Sequence, residues 1–510
     1  MMGKSKLLII APALLMTALN VYSQSKIHRI DSLLTSLHEK QGFDGNILVT
    51  QKGKILYQKS FGYAVAETSE ALTNESIFSL ASVSKMFTGI ALMKLVELGK
   101  LKLTDDLQLY LPDLPYEHIT IYNLLTHTSG LEEYFAPPVR NKLGPEPTNP
   151  DIEKAYVQAQ LKTKFPPGTN WSYCNTNFML LALIIEKASG IPYPEFLKRY
   201  IFEPAGMKHS FVLAKNAPVH LRKQIAAIYN YPDFLSVHAI NVDSIAPARK
   251  YYSIIRNSYG DGSVFSTTGD LFQLHQALER GKILSKNSQQ IVYSPVTLPD
   301  GKEYESGNAN PDYSSGYGLG CQIAKDSSIG KIIWHTGSNP GILTFFMRNI
   351  TRDQCVIILN NNWYRGTFHL GGSIMNILND RAPQLLPASL ARKIGQEYTL
   401  HGADSALKLL AVLKDGRDYH IGLLEMNELG YNLLSKNDYL TAIEIFKVNT
   451  QTYPTNGDIW DSLAEGYYRA GDLEEAVKDY EKSIQLNPNN ESGKQMLNKI
   501  REELKKGNKQ

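Results

Sequence analysis

The sequence predicts an α+β protein, in which an antiparallel sheet is flanked by helices and is followed by a small all-α domain. A hairpin pattern near the start of the chain, several strand patterns between residues 319 and 359, and a helical repeat after residue 420 indicate this arrangement. At 510 residues the chain exceeds the usual size of one compact domain, so two domains are expected.

Composition and charge exclude several classes of protein. Hydrophobic residues make up 43% of the chain and charged residues 20%, as in an ordinary globular protein rather than a disordered one. The formal net charge of +3 is close to neutral for this length. We therefore expect neither a nucleic-acid partner nor an anionic membrane partner.

The first residues have the pattern of a cleaved targeting segment. Lys4 and Lys6 precede an apolar run at residues 7–19, and Val21-Tyr22-Ser23 supplies a cleavage site that ends in a small residue. The alternative is a single N-terminal anchor helix, but the run is shorter than the roughly 20 apolar residues that span a bilayer. Residues 1–23 are therefore predicted to be a signal peptide, which implies a periplasmic or secreted bacterial protein.

The first domain is predicted at residues 25–385, and it begins with a β-hairpin. Apolar runs at residues 46–49 and 55–57 flank a short polar connection. Residues 86–98 predict a helix that is apolar on nearly every face and that ends at Gly99. Since a surface helix shows a single apolar stripe, we expect this helix in the centre of the domain.

Strand patterns dominate the end of the first domain. They lie at residues 319–324, 331–334, 343–347 and 355–359, and a helix is predicted at residues 372–378. A hairpin at the start and strands at the end predict one antiparallel sheet, with edge strands from both ends of the domain. A proline-containing segment at residues 381–387 marks the domain boundary.

An internal repeat with a period of 34 residues occupies the end of the chain. It is carried by six pairs of positions: Ala442/Ala476, Phe446/Tyr480, Pro454/Pro488, Met426/Trp460, Leu429/Leu463 and Gly430/Ala464. The pattern resembles the tetratricopeptide repeat, and two unrelated helical hairpins are the alternative. Repeats are predicted at residues 423–505, with a linker and helices at residues 386–422. The concave groove of such a stack favours a protein or peptide partner.

The strongest chemical signal is Ser82-Val83-Ser84-Lys85, at the start of the buried helix. A serine hydroxyl needs a base to become a nucleophile, and a lysine three residues later on a helix projects from the same side. Burial and neighbouring charges can lower the pKa of such a lysine toward neutrality. The start of a helix also brings free backbone N–H groups to Ser82, and these stabilise a developing oxyanion.

Further motifs follow the serine and lysine in a fixed order. They are residues 124–131 (Leu-Leu-Thr-His-Thr-Ser-Gly-Leu), Tyr173-Cys174-Asn175, residues 262–267 (Gly-Ser-Val-Phe-Ser-Thr) with Asp270, and His335-Thr336-Gly337. Over about residues 30–380 the chain resembles the serine β-lactamase-like, penicillin-binding-protein-like family. This family includes class C β-lactamases, D-alanyl-D-alanine carboxypeptidases, D-aminopeptidases and family VIII esterases. The resemblance implies an all-helical lobe beside the sheet, and a hydrolase that uses no cofactor and no metal ion.

The resemblance also implies a role for each residue of the first motifs. Ser82 corresponds to the acylated nucleophile and Lys85 to its partner on the helix. Tyr173 corresponds to the tyrosine that exchanges protons with Ser82 and the leaving group. Asn175 corresponds to the amide that binds substrate and holds Lys85. A tyrosine of ordinary pKa, about 10, is a poor base at neutral pH, so flanking cations must favour its anion or let it relay protons.

The strand with the last motif is implied to line the opposite wall of the site. His335, Thr336 and Gly337 would bind substrate, with Gly337 allowing a close approach to the backbone. The backbone N–H of Ser338 would join that of Ser82 in an oxyanion hole. Many relatives have lysine at the position of His335, and a neutral imidazole lacks the permanent charge that binds a substrate carboxylate. Efficient β-lactam hydrolysis is therefore not expected.

His127, in the second motif, is expected to make a hydrogen bond that stabilises its loop rather than to act in catalysis. We predict an exported serine hydrolase that acts through an acyl-enzyme on a small-molecule or peptide substrate with an ester or amide bond. This covers an esterase, a D-amino-acid peptidase and a β-lactamase-like enzyme. Two alternatives stay open: a penicillin-binding receptor with slow deacylation, and an interaction scaffold that works through its repeats.

Overall fold

The computed structural model describes residues 10–214, 217–301, 303–304, 315–324 and 328–507. The chain forms two compact units, of which the first comprises Met1–Asn230 with Asn241–Leu385 and the second comprises Tyr231–Ile240 with Leu386–Gln510.

The predicted signal peptide begins at residues 1–9, which lie outside the described part of the chain. From Ile10 the backbone is helical as far as Gln41. Over the described residues, no helix combines the length and the apolar character needed to cross a membrane.

Strands occur along the first unit, with two short ones associated with the second. They are β1 (Gly45–Gln51), β2 (Lys54–Phe61), β3 (Tyr63–Val65), β4 (Glu70–Ala71), β5 (Phe78–Ser79), β6 (Phe211–Val212), β7 (Tyr229–Asn230), β8 (Ile240–Asn241), β9 (Val264–Ser266), β10 (Ser315–Tyr317), β11 (Gln322–Ala324), β12 (Ile332–Asn339), β13 (Ile342–Asn349), β14 (Gln354–Leu359), β15 (Ala388–Ser389) and β16 (Tyr419–His420).

Seven strands form the main antiparallel sheet, in the order β10-β11-β12-β13-β14-β1-β2. The predicted hairpin is β1 with β2, and β1 pairs with β14, so the start of the domain completes a sheet whose other strands come from its end. The predicted α+β fold with an antiparallel sheet is confirmed. The strand expected at residues 319–324 starts only at Gln322, because Gly320 has a φ of +80° and turns the chain before it.

Helices cover both faces of the sheet in the first unit. They are α1 (Ile10–Gln41), α2 (Ser84–Glu97), α3 (Ile121–Leu125), α4 (Pro137–Arg140), α5 (Asn149–Ala159), α6 (Asn175–Ser189), α7 (Tyr193–Leu197), α8 (Glu203–Ala205), α9 (Val219–Arg222), α10 (Ala246–Ile255), α11 (Thr268–Glu279), α12 (Lys286–Val292) and α13 (Thr367–Leu378). The stretch from α2 to α10 supplies the mostly helical lobe.

Strand residues alternate between two apolar cores. Ile47 pairs with Ile358, and both belong to the core that includes α1 and α13. Leu48 pairs with Ile357, and both belong to the core that includes α2 and α6. Because successive side chains of a strand point to opposite faces, burial on both faces requires the nearly continuous apolar runs seen in the sequence.

Helix α2 is the buried central helix that the sequence predicts, and its side chains are almost all enclosed. Two glycines allow its close approach to the turn before β11. A Cβ at Gly89 would lie 2.2 Å from the carbonyl oxygen of Leu319, and one at Gly320 would lie 2.6 Å from that of Lys85. The contact therefore fixes the helix start, which carries Ser82, against the sheet.

The second unit is helical, as the repeat predicts. Its helices are α14 (Leu390–His401), α15 (Ala403–Leu413), α16 (Leu423–Ser435), α17 (Tyr439–Thr452), α18 (Gly457–Ala470), α19 (Leu473–Leu486) and α20 (Glu491–Gly507). The small residues of the repeat lie where helices touch: a Cβ at Gly430 would lie 2.2 Å from the ring of Phe446. Ala442, Ala464 and Ala476 are fully buried.

Residues 231–240 lie between two parts of the first unit in sequence but belong to the second unit in space. Leu235 is buried in the same core as Ile394 and Leu429. The backbone N–H of Phe234 donates to Asn432 at 2.9 Å. The guanidinium of Arg392 lies 4.6 Å from the centre of the Phe234 ring. The sequence pattern did not predict this segment, because no local signal distinguishes it from a surface loop.

We predict that a chain ending at Leu385 is poorly soluble, because it keeps residues 231–240 without the helices that cover them. Phe234→Ser with Leu235→Ser in that short chain should restore soluble yield. In the full chain the same pair should lower the free energy of unfolding by at least about 2 kcal/mol, as expected for the loss of a buried leucine. Soluble yield and thermal unfolding measure both effects. Equal yield of the two short chains would contradict this role for the segment.

Candidate active site

Ser82 lies in a 3₁₀ turn, Ala81–Val83, that leads directly into α2. Two hydrogen bonds tie this region to β9: the N–H of Leu80 donates to the carbonyl oxygen of Val264 at 2.9 Å, and the N–H of Val264 donates to Ser84 Oγ at 2.9 Å. Ala81 has a φ of +45°, which is uncommon for a residue with a side chain. The turn is therefore held in a defined shape by its surroundings, with Ser82 half-buried beside a cavity.

Lys85 is fully buried, and its amino group is surrounded by oxygen atoms. Nζ lies 2.9 Å from Ser82 Oγ, 2.8 Å from Asn175 Oδ1 and 2.9 Å from the carbonyl oxygen of Asp261. The last two oxygens only accept hydrogen bonds. Nζ therefore donates to these two oxygens, and its third contact is with the Ser82 hydroxyl, which can itself act as a donor. The geometry thus suits Lys85 to take the proton of Ser82.

Asn175 begins α6, and the carboxylate of Glu133 fixes its orientation. Glu133 Oε1 accepts from the backbone N–H of Asn175 at 2.9 Å and from its Nδ2 at 3.0 Å. Because Nδ2 donates to Glu133, Oδ1 must be the atom that faces Lys85. Burial raises the pKa of Glu133, while the positive charge of Lys85 acts in the opposite direction.

Tyr173 is held from both sides by His127. The carbonyl oxygen of His127 accepts from the N–H of Ser172 at 3.0 Å, and its ring Nδ1 accepts from the N–H of Cys174 at 3.1 Å. This is the loop-stabilising role that the sequence predicts for His127. Lys85 Nζ lies 5.0 Å from the centre of the Tyr173 ring. Within the described residues the Tyr173 hydroxyl bonds neither Ser82 nor Lys85, and catalytic hydrogen bonds often form only when substrate binds.

The opposite wall of the site is β12, which includes His335, Thr336, Gly337 and Ser338. Gly337 faces away from the cavity and toward the turn of Ser82. A Cβ there would lie 2.2 Å from the carbonyl oxygen of Leu80. The glycine is thus required because β12 packs directly on this turn, which is a different reason from the close approach of substrate that the sequence suggests. Ser338, the next residue of β12, lines the same cavity as Ser82.

His335 is buried and electrically neutral. Burial, and next the positive charge of Lys85, lower its pKa to about 3. Nδ1 lies 2.6 Å from the carbonyl oxygen of Thr336, so Nδ1 carries the hydrogen and donates. Nε2 must then accept, and it does so from the hydroxyl of Tyr317 at 3.1 Å. Both ring nitrogens are engaged within the protein, so His335 has no N–H left for substrate.

Tyr317 joins His335 to His127 and sets the tautomer of both rings. Burial lowers the pKa of His127 well below its ordinary value, so this ring is neutral as well. Since His127 Nδ1 accepts from Cys174, its Nε2 carries the hydrogen and donates to the Tyr317 oxygen at 3.2 Å. A directed chain of hydrogen bonds therefore connects the segment with Tyr173 to the strand with His335.

These elements enclose a cavity of about 270 Å³. The predicted residues on its lining are Ser82, Tyr173, Asn175, His335, Thr336 and Ser338. Lys85 lies behind Ser82, and Gly337 is turned away. A serine paired with a buried lysine at the head of a central helix, next to such a cavity, is the arrangement of a serine acyl hydrolase.

Sequence patterns missed several residues of this site. Asp261 lines the cavity and directly precedes the glycine of the fourth motif, so its position was a usable signal. Glu133 lies two residues after Leu131, the end of the second motif, so its closeness to a motif could also have indicated a site residue. Tyr317 and Tyr251 carry no such signal, because tyrosines of this spacing are common and only the fold brings these two to the site.

Comparisons with known proteins agree with the fold and the geometry. The beta-lactamase family matches residues 30–372, and the tetratricopeptide repeat matches residues 457–490. Penicillin-binding protein 4* of Bacillus subtilis (strain 168) is 36% identical over 342 residues, which cover 66% of this chain and 72% of that protein.

Two other similarities are weaker or shorter. D-aminopeptidase of Brucella anthropi is 34% identical over 179 residues, which cover 35% of this chain and 34% of that protein. The octameric penicillin-binding protein homologue from Pyrococcus abyssi has a TM-score of 0.59 at 24% identity, and the match covers 70% of this chain and 78% of that chain. The latter likeness concerns the fold alone.

The chain belongs to the beta-lactamase family, as a serine hydrolase with a tetratricopeptide repeat near its C-terminus. The family expected from the sequence motifs is thus confirmed.

We predict that Tyr317→Phe lowers the free energy of unfolding by about 2–4 kcal/mol, because one buried N–H of His127 and one buried acceptor of His335 lose their partner. Urea unfolding monitored by circular dichroism measures the change. Tyr364→Phe is the matched control, since Tyr364 is also buried but its hydroxyl makes only a 3.5 Å contact with Gln41. Similar losses in both variants would contradict the hydrogen-bond chain.

Proposed function

We propose that the protein is an exported serine hydrolase that cleaves an ester or amide bond through an acyl-enzyme on Ser82. The observation that carries this proposal is the hydrogen bond between Lys85 Nζ and Ser82 Oγ, made by a lysine that has no access to solvent. A buried lysine with two fixed acceptors and one hydroxyl is placed to remove a proton rather than to serve as a surface charge.

In the first half of the reaction, Ser82 Oγ attacks the carbonyl carbon while its proton passes to Lys85. The carbonyl π electrons move to oxygen and give a tetrahedral oxyanion. The backbone N–H groups of Ser82 and Ser338 are proposed to hold this oxyanion, which the packing of β12 on the turn of Ser82 supports. The tetrahedral carbon then expels the amine or alcohol, which takes a proton from the Tyr173 hydroxyl.

In the second half, water replaces the leaving group. Tyr173, now without its proton, accepts a proton from the water as the water oxygen attacks the ester carbonyl of the acyl-enzyme. The tetrahedral carbon expels Ser82 Oγ, which recovers its proton from Lys85. One water is consumed, one bond is hydrolysed, and the enzyme returns to its starting protonation state. Asn175 supports this cycle by holding Lys85 and by offering its amide to the substrate.

The wall formed by His335 and Thr336 bears on the choice of substrate. His335 is neutral and has both ring nitrogens occupied, so it supplies neither a charge nor an N–H to a substrate carboxylate. Charge-assisted hydrogen bonds are roughly twice as strong as neutral ones. We therefore propose that penicillins and acyl-D-alanyl-D-alanine peptides are poorer substrates than esters or amides without a carboxylate at that end.

The remaining parts of the chain have separate roles in this proposal. Residues 25–385 form the hydrolase, apart from the segment 231–240 that belongs to the helical unit. Residues 386–422 lead into repeats at 423–505, which are proposed to bind a protein or peptide partner. A helical stack of this kind presents a groove for an extended ligand.

We predict that Ser82→Ala lowers the turnover rate of a chromogenic ester by about 1,000-fold or more, as expected when a covalent nucleophile is lost. Ser294→Ala is the control: it removes an exposed serine hydroxyl, which donates to the carbonyl oxygen of Gln290 and does not line the cavity, so the variant should keep its turnover. Lys85→Ala and Tyr173→Phe should each remove most activity, and the double variant should be little worse than either.

Steady-state kinetics with a short-chain ester measures these effects, and a fluorescent penicillin on a denaturing gel reports the acyl-enzyme. Transient label in the wild-type protein agrees with turnover. Permanent label without ester hydrolysis would instead identify a receptor. If Ser82→Ala retains more than a few per cent of the wild-type rate, the nucleophile lies elsewhere.

We predict export with cleavage after Ser23, because two lysines, an apolar run and a small residue follow one another at the start of the chain. Expression in a bacterial host and N-terminal sequencing of the periplasmic fraction should give a first residue of Gln24. Replacing Leu14 and Leu15 by Arg should keep the full-length chain in the cytoplasm. A mature protein that still begins at Met1 and sediments with membranes would identify an anchor instead.

A further inference from the structure

Asp261 is fixed at the edge of the catalytic cavity by its own backbone. Its carbonyl oxygen accepts from Lys85 Nζ at 2.9 Å, and the preceding carbonyl, that of Gly260, accepts from Thr88 Oγ1 at 2.6 Å. Gly260 has a φ of +108°, and a Cβ there would lie 2.2 Å from the carbonyl oxygen of Phe178. The loop is thus packed against α6 and bonded to α2, which holds the Asp261 side chain in place.

Asp261 is 7% exposed, and this residue lines the same cavity as Ser82. Its Oδ2 accepts from the hydroxyl of Tyr134 at 3.1 Å. Among the described residues no lysine, arginine or histidine lies within ion-pair distance of it. Burial raises the pKa of Asp261, while the positive charge of Lys85 and the hydrogen bond from Tyr134 act in the opposite direction. A further cation beside the carboxyl group would favour its ionised form. A cationic group of the substrate would supply that charge.

The rest of the cavity lacks positive charge. Its described lining contains no lysine and no arginine, and His335 is neutral. Glu133 is a second buried acidic residue, and it lies behind Asn175. It is close enough to Asp261 for the charge of Asp261 to contribute to raising the pKa of Glu133. The amino group of Lys85 contacts Ser82, but its three hydrogen-bond partners all belong to the protein. The cavity therefore favours a cation over an anion.

The main chain of Asp261 lies close to Ser82, which brings its side chain within reach of a group next to the scissile carbonyl. Both residues bond the same Lys85 nitrogen, one through Oγ and one through its main-chain oxygen. The α-nitrogen of an amino acid lies about 2.5 Å from its carbonyl carbon. On the same side of the cavity, the rings of Phe135 and Tyr251 stack with centres 5.6 Å apart and offer an apolar surface for a side chain.

We propose that Asp261 binds the ammonium group of the substrate, and that the preferred substrates are amides or esters of amino acids with a free α-amine. This inference rests on the proposed function of Ser82 and names the substrate class of the same site. Hydrolysis adds one water across the bond and releases the free amino acid and the amine or alcohol.

The test compares three p-nitroanilides of phenylalanine, in both enantiomers, at pH 6.5: with a free α-amine, with an N-acetyl group and with an N-succinyl group. They share the leaving group and differ in charge, which is positive, zero and negative. In the wild-type protein we expect kcat/KM for the free amine to exceed that for the acetyl compound by about tenfold or more in the better enantiomer, with the succinyl compound slowest.

Asp261→Asn keeps the shape of the side chain and the main-chain oxygen that Lys85 uses, and it should reduce the preference for the free amine by about tenfold. Asp243→Asn removes the same charge from an exposed residue that does not line this cavity, so it should leave the ratio unchanged. Thermal unfolding establishes that each variant is folded.

The wild-type ratio tests the inference even if Asp261→Asn fails to fold. If the wild-type protein has the same kcat/KM for the acetyl or succinyl compound as for the free amine, the ammonium site at Asp261 is wrong, while the proposed function of Ser82 stands. A preference that survives in Asp261→Asn would assign the ammonium site to another residue. If neither the anilides nor p-nitrophenyl butyrate are cleaved, the proposed hydrolase function itself fails.

Discussion

The buried amino group of Lys85 is the interaction on which the site depends. It joins three segments that are far apart in sequence: the turn with Ser82, the start of α6 at Asn175 and the loop at Asp261. A buried amino group is tolerated only when its hydrogen-bonding capacity is satisfied, so the three segments must meet at this point. Gly89, Gly260 and Gly320 allow that meeting, because any side chain there would collide with a neighbouring backbone.

The two histidines near this amino group carry no positive charge. His127 and His335 are buried and neutral, and they are linked by Tyr317 into a chain with defined donors and acceptors. The acidic groups near the cavity are Asp261 and Glu133, and Asp261 is the one proposed to bind a charged group of the substrate. The site thus combines one buried amino group, proposed to transfer protons, with a wall that supplies no positive charge to an anion. In this proposal Lys85 transfers protons and Asp261 binds the substrate, so the two tasks fall to different ionisable residues.

Much of this structure was accessible from the sequence, and the parts that were not have a physical reason. The buried helix, the hairpin and the pairing of Ser82 with Lys85 follow from local patterns of apolar residues and from helical spacing. Contacts between distant segments leave no such pattern. The bond from Tyr317 to both histidines depends on where β10 lies in the sheet. Gly337 illustrates a subtler limit, because the pattern indicated a glycine in the site but not that it faces the turn of Ser82.

The placement of residues 231–240 constrains how this chain arose and how it can be recombined. A helical module added only at the end of a hydrolase gene could be exchanged by one crossover near residue 386. Here the core of that module includes Leu235, encoded about 150 codons earlier within the hydrolase. Moving the repeats to another enzyme therefore requires two coordinated genetic changes. The two parts of this chain are therefore expected to be inherited together.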